Sequence, residues 1–382
     1  MTDLFMEAAS QLDLPSVRQW KDRGGKTIGY TCSFIPVEIF RAARLLPIRQ
    51  RGIKTESMAI ADAYYGPFVC SYPKAVLQNV GAGDYAFLDG AVISTGCDAM
   101  RRLDECWRKM SDDIPGTMPP FFHYFDVPHK PDDFAVSWYM DQVKRLMEAL
   151  AHHFSLQITE TDLHEAIVMQ NGIRKKLYEL TTLRTGDTIK ISGTEAYGAI
   201  IASTVMPGDD FCRYMDTFLD NAKQRPTDLS QGKKRIYITG SVCDDTDLIR
   251  LIESSGAVVV GENVCFGVRD KEDLVREEGD PIRALTDKYL SGSACPRMFG
   301  WYQSRLENVL NRIAEGGVDG VVMQSIRFCD MHGSENGLME RDLEARGIPV
   351  IRIEREYGPM VETGRLKMRI DAFIEQLKKR KA

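Results

Sequence analysis

An α/β protein, two open parallel-sheet (Rossmann-like) lobes joined by a helical segment, is what this chain of 382 residues predicts. Its second half alternates short Val/Ile-rich runs with amphipathic helical stretches, the pattern of parallel strands linked by crossover helices. Its first half repeats that alternation. Between them, residues 133–225 carry apolar side chains spaced three and four apart, a run of helices without strands. The expected boundaries are therefore 1–132 for an N-terminal α/β lobe, 133–225 for a helical insert and 226–382 for a C-terminal α/β lobe.

Taken in order, LPSVRQWKDRGGKTIGYTCSFIPVEIFRAARLLPIRQRG reads as helix, short strand and turn into a second helix, with Pro36 near its start and Ile39, Phe40, Ala43 and Leu46 on one face. DYAFLDGAVIST and PPFFHYFDVP are β-rich runs on either side of a helix at AMRRLDECWRKM. Three helices follow, at WYMDQVKRLMEALAHHF, TETDLHEAIVMQNGIRKKLYELTTLR and DDFCRYMDTFLDNAKQR, with Thr159 and Asp162 marking one N-terminus. PTDLSQGKK is a linker by composition. Then KRIYITGS, AVVVGENVC, DGVVMQSIRFC and IPVIRIERE read as strands. DTDLIRLIESSG, SRLENVLNRIAEGG, LMERDLEARG and GRLKMRIDAFIEQLKKR read as the helices between and after them, two of them ending on Gly256 and Gly347.

Hydrophobic residues make up 43% of the chain, enough for more than one core, and a formal charge of -6 with interspersed Lys and Arg offers no basic field for nucleic acid. No secretory leader and no membrane-length apolar run is present, so a soluble cytoplasmic protein is expected. Nine cysteines without such a leader argue for reduced thiols or metal ligands rather than a disulfide framework. Cys32, Cys106 and Cys212 sit in contexts where a thiol packs as a small hydrophobe.

Three other thiols carry the chemical signal. Cys97 and Cys329 follow strand-like runs and precede Asp98 and Asp330, which places them at strand C-terminal edges and helix N-termini, where backbone N–H groups favour anionic sulfur. Cys70 lies in PFVCSYPK, with Lys74 one turn on to offset negative charge. Incidental packing at strand ends competes with ligation on spacing alone, because no C-x-x-C pair occurs. His332, three residues beyond Cys329, is placed to donate to sulfur or to shuttle a proton. Cys243, Cys265 and Cys295 leave a second sulfur-ligated centre conceivable. GGKT at 24–27 lies between helix and strand and is a turn rather than a phosphate loop, and the His152–His153 pair is expected to be solvated.

With GYTCSFIPVEIFRAARLLPIR, CSYPK, STGCDAMRRL, FDVP, ITGS, VVGENVCFGVR, SIRFCD and IPVIRIEREYG in place, the chain resembles the benzoyl-CoA reductase and 2-hydroxyacyl-CoA dehydratase family over nearly its whole length. The resemblance implies a [4Fe-4S] cluster held by Cys70, Cys97 and Cys329, with one iron open to another ligand. It further implies an acyl-CoA substrate, a homologous larger subunit or second copy as partner, and a separate ATP-hydrolysing iron–sulfur activator, which fits the missing phosphate loop.

Within the family, length and the GSVCDD, GCDAMRRL and YFDVP segments lean toward the smaller catalytic subunit of a benzoyl-CoA reductase. An (R)-2-hydroxyacyl-CoA dehydratase subunit is the alternative. A double-cubane reductase is a third, weakened because the family's cysteine after the strand-end glycine is Ser241 here. A non-catalytic electron-transfer or scaffold subunit is the fourth. Ser33 and Glu38, in the segment that lies beside the thioester in the family, are candidates to position substrate or move a proton, Glu38 competing with a role as a first-turn capping carboxylate. The three cysteines are expected to converge in a buried cleft between the lobes.

Overall fold

In a computed structural model that describes residues 2–269, 273–292, 295–357 and 363–380, the first half opens with α1 (Thr2–Ser10) and α2 (Pro15–Asp22). There follow β1 (Lys26–Tyr30), α3 (Val37–Ala42), β2 (Leu45–Arg49), α4 (Ala59–Asp62), α5 (Ser71–Gly81), β3 (Gly90–Ser94), α6 (Asp98–Asp113) and β4 (Phe121–Phe125). The four strands form one parallel sheet in the order β2-β1-β3-β4. β1 and β3 are central and almost wholly buried, as their continuous apolar runs require.

Two expectations change here. Leu46 is not part of a helix: Arg44 turns into the left-handed region at φ 56°, α3 stops, and LLPIR becomes β2, an edge strand where Pro47 removes no needed ladder donor. DYAFLD is turn and loop, and the strand begins only at Gly90.

Four helices then run without a strand: α7 (Asp133–Phe154), α8 (Glu160–Thr185), α9 (Gly193–Ala202) and α10 (Gly208–Lys223). Thr159 and Asp162 form a reciprocal capping box at the start of α8. Nearly every residue of α9 is buried, so it has no polar face and therefore no helical period to read. α1 packs here through Phe5, whose ring meets Phe211 and Phe218 of α10.

The second half gives β5 (Lys234–Gly240), α11 (Asp247–Ser254), β6 (Ala257–Asn263), α12 (Pro281–Thr286), a short π-helical turn at 287–291, α13 (Tyr302–Gly316), β7 (Gly320–Ile326), α14 (Asp330–Glu344), β8 (Val350–Arg355) and α15 (Thr363–Lys379). Its sheet is again all parallel, in the order β6-β5-β7-β8. α14 begins at Asp330, directly after Cys329 and well before the expected LMERDLEARG stretch.

The lobes do not separate cleanly along the chain. Val275, Ala284, Leu285, Leu290 and Met298 join the core of Ile28, Phe34 and Phe40 in the first lobe, and Arg297 donates from Nε to the Thr95 carbonyl at 2.7 Å. A second core runs from Leu46 and Ile93 through α9 and α10 to Ile236 and Val322. α8 holds both lobes through two fully buried ion pairs, Arg174 to Glu38 at 2.7 Å and Arg184 to Glu262 at 2.5 Å.

Candidate functional site

Both sheets share one topological feature, a reversal of strand order between their first and third strands, where open α/β sheets form a crevice at their C-terminal edges. Cys97 follows β3 and is the N-cap of α6; Cys329 follows β7 and is the N-cap of α14. Cys70 is the N-cap of α5. Each thiol thus stands at the positive end of a helix, with extended or near-extended backbone and the first-turn amides beside it.

The three are neighbours. Cys70, from the first lobe, donates its S–H to Cys329 of the second, and Cys97 is close enough to both that charge on Cys329 raises Cys97 and charge on Cys97 raises Cys70. Phe328, just before Cys329, has a φ of 61°, an unusual strain for a bulky side chain, and its ring packs edge-on against Phe68, two residues before Cys70. Among the described residues, no three His, Cys, Asp or Glu side chains converge as ligands of a single ion.

The proton inventory differs from that expected at helix N-termini. Burial pushes the Cys97 thiol up to about 12, overriding the Met100 amide that favours its thiolate. The hydrogen bond to Cys329, then burial, raises Cys70 well above the ordinary thiol range, and that same bond lowers Cys329, which the His332 and Met331 amides also favour as thiolate. Cys329 is therefore the more acidic member of the pair. Lys74 pairs with Asp62 at 2.5 Å. The His332 ring is driven well below its usual range by burial and by Arg269 and Arg305, so it is neutral near pH 7 and carries no titrating proton there.

Beside this trio lies a second group that spacing alone did not reveal. Burial raises the Cys32 and Cys295 thiols, charge on Cys265 adds to both, and Cys32 also acts on Cys295 and on Cys97. Cys243 is buried and gives its S–H to the Asp245 carbonyl, while Cys106 gives its own to Tyr64. Next to Cys265 is a cavity of about 60 Å³ walled by Tyr30, Ser33, Arg41, Arg49, Thr204 and Tyr289, among others. Arg49 donates to Ser33 Oγ at 3.0 Å and to Cys265 Sγ at 3.2 Å, its guanidinium 4.0 Å above the Phe266 ring. Ser33 bonds the Cys265 carbonyl at 3.4 Å across the lobe boundary.

Glu38 is fully buried and accepts from Arg174 and from the Tyr289 hydroxyl, each at 2.7 Å. It is a structural anion between α3, α8 and the π-helical turn rather than an exposed capping carboxylate. The arginine wall was missed in the sequence; its one signal there is a charged residue inside the apolar run LLPIR. Ser293 and Ala294 of the SACP turn lie outside the described residues.

A family model described as 2-hydroxyglutaryl-CoA dehydratase, D-component, matches residues 32–377. A benzoyl-CoA reductase subunit of Thauera aromatica is 27% identical over 348 residues, covering 89% of this chain and 88% of that protein. The (R)-phenyllactyl-CoA dehydratase beta subunit of Clostridium sporogenes is 23% identical over 364 residues, 94% of each chain. The beta subunit of the (R)-2-hydroxyglutaryl-CoA dehydratase of Acidaminococcus fermentans is 20% identical over 366 residues, again 94% of each. Among the described residues, no helix is long and apolar enough to cross a membrane.

Proposed function

Because this chain belongs to the 2-hydroxyglutaryl-CoA dehydratase D-component family, we propose that it is the smaller subunit of an acyl-CoA enzyme in which Cys70, Cys97 and Cys329 hold a [4Fe-4S] cluster. The observation that carries the proposal is the meeting of two thiols from one lobe with one from the other, each at a helix N-terminus. A cubane takes each thiolate on a different iron, so it needs three separated sulfurs rather than a single-ion shell, and first-turn amides would offset its negative charge.

When bound, such a cluster supplies low-potential one-electron transfer. The chain's own part is to keep that site enclosed by both lobes and to present, through Ser33 and its neighbours on the 31–39 segment, a polar wall to the thioester. An ATP-hydrolysing activator supplies the electron and a homologous larger subunit, or a second copy, completes the site. The reaction proposed is of the benzoyl-CoA reductase type, net reduction of the aromatic ring by two electrons that the activator delivers one at a time. The dehydratase names of the other relatives favour, as a second reading, loss of hydroxide from a 2-hydroxyacyl-CoA.

The test begins with anaerobic purification. A brown protein with about four irons per chain is expected from a single cubane; a colourless, iron-free chain after anaerobic reconstitution overturns the proposal. Turnover of benzoyl-CoA against an (R)-2-hydroxyacyl-CoA, with activator and partner subunit, separates the two reactions. Substitutions in 31–39 that leave acyl-CoA turnover unchanged would instead assign this chain a scaffold role.

A further inference from the structure

The cavity beside Cys265 has an uncompensated positive charge. Three guanidinium groups line it, from Arg41, Arg49 and Arg174, and a single carboxylate, Glu38, answers them by pairing with Arg174. Arg49 is 2% exposed, forms no ion pair with any described residue, and its Nε has no hydrogen-bond partner. Among the described residues Arg41 bonds neutral acceptors, Gln170 Oε1 at 2.8 Å and the Met169 sulfur at 4.0 Å. A buried cation without a counter-charge is costly, and an orphaned guanidinium N–H adds to that cost.

The remaining polar wall faces the same way. Tyr30 is buried, and its hydroxyl makes no hydrogen bond to a described residue. Burial raises its pKa to about 12, so it is a donor at neutral pH. Ser203 and Thr204 donate to backbone carbonyls of α9 and leave only acceptor capacity. The donors thus concentrate on the Arg41, Arg49 and Tyr30 side. A space of about 60 Å³ holds roughly four water-sized atoms at ~15 Å³ each, which is the size of a carboxylate with its adjoining carbon.

We infer that this cavity is a binding site for a carboxylate, gripped by the Arg49 and Arg41 guanidinium groups and the Tyr30 hydroxyl. The fork of a guanidinium matches a carboxylate's two oxygens, and the charge-assisted bonds settle the charge that the fold leaves unanswered. The carboxylate has two possible sources with the same chemistry, a free small acid or the far end of an acyl chain on a thioester; only the second rests on the acyl-CoA reading above.

The test uses the full chain, at fixed ionic strength, in calorimetric titration and thermal unfolding with acetate. Saturable one-to-one binding is expected, with a rise in Tm that grows with acetate and is absent with equal chloride. Tyr30→Phe should weaken acetate about threefold and Arg41→Gln about tenfold. Tyr30→Phe removes one oxygen and no packing, so it guards against a misfolded arginine variant. Succinyl-CoA and butyryl-CoA, equal in chain length, divide the sources. Competition with acetate by the first alone assigns the site to an acyl carboxylate, and competition by neither assigns it to a free acid. An acetate response that is absent, or equal in the wild type and both variants, overturns the site, whether or not either thioester binds elsewhere.

Discussion

The two lobes share a strand order and a cysteine–aspartate turn after the third strand, yet their crevices are built oppositely. In the second lobe the crevice is shut. Gly240, at φ 134°, brings β5 so close to β7 that a Cβ there would lie 1.8 Å from the Gln324 carbonyl oxygen. Ser241 Oγ accepts the Ile326 N–H at 2.8 Å, and Gln324 donates to the Ser241 carbonyl at 2.7 Å while accepting from Arg355 at 3.1 Å. In the first lobe the matching crevice keeps Cys32 and Cys97 together, with Gly96 leaving room beside the Cys32 sulfur. There Thr31 Oγ1, Arg49 Nε and both amide atoms of Gln50 are buried without partners. Unsatisfied buried groups are rare and need a reason. One architecture has been used once for closure and once for an open crevice, and of the three helix-capping cysteines the closed lobe carries Cys329.

The largest test of that division is iron. If the third-strand cysteines act as equals, Cys97→Ser and Cys329→Ser should each lose most of the bound iron after anaerobic reconstitution, read by iron assay and visible absorbance. Cys243→Ser, in the closed crevice, should keep it. Iron retained in either of the first two variants would separate the lobes' roles more sharply than their geometry does.

Next in size are the two buried ion pairs by which α8 grips each lobe. Removing one partner of such a pair costs about 3–5 kcal/mol because the other charge is stranded. Glu262→Ala and Glu38→Ala should both fall in that range in urea unfolding. Arg184→Met with Glu262→Leu should recover most of the loss, because no buried charge then remains. A Glu262→Ala cost under about 1 kcal/mol would mean that the pair is solvated and the second lobe is held otherwise.

The alternation of strand and helix was legible in the sequence because each central strand is buried on both faces and each crossover helix on one. β2 was not, since its apolar residues continue the count from α3 and only the left-handed turn at Arg44 breaks it. Nor was α9, which is buried all round. Cys97 and Cys329 could be picked out because each follows a strand-like run and precedes a helix start, and Cys70 through its CSYPK turn and the family resemblance. The acidity expected of Cys97 failed because burial outweighs one helix N-terminus. The arginine cavity was invisible for a different reason: residues 30, 41, 49, 174 and 289 meet only through the packing of α8 and the π-helical turn against the first sheet.

A third test concerns the seam. Asp244, fully buried after β5, accepts the Gly52 N–H at 2.9 Å, while its other oxygen has no partner. Burial, then Asp245, raises its carboxyl to about 7 against the pull of Arg51 and Arg355. The folded chain therefore keeps a proton between about pH 4 and 7 that the unfolded chain has lost, so stability falls as pH rises through that window and levels above it. The contribution is on the order of 2–4 kcal/mol. Asp244→Asn should flatten this slope relative to wild type in urea unfolding from pH 4.5 to 8; identical slopes would mean that the carboxyl ionises normally.

The smallest effect addresses the crevices themselves. Ser241→Ala removes the side-chain acceptor of the buried Ile326 amide and should cost about 1–3 kcal/mol. Thr31→Val, at the matching edge of the first sheet, removes a hydroxyl that bonds no described residue, so stability should change by less than about 0.5 kcal/mol or rise. The opposite responses of two near-equivalent positions would be the energetic signature of one sealed and one open crevice. Equal losses at both positions would mean that the Thr31 hydroxyl already has a partner, such as an ordered water, and that the first lobe is closed in its own way.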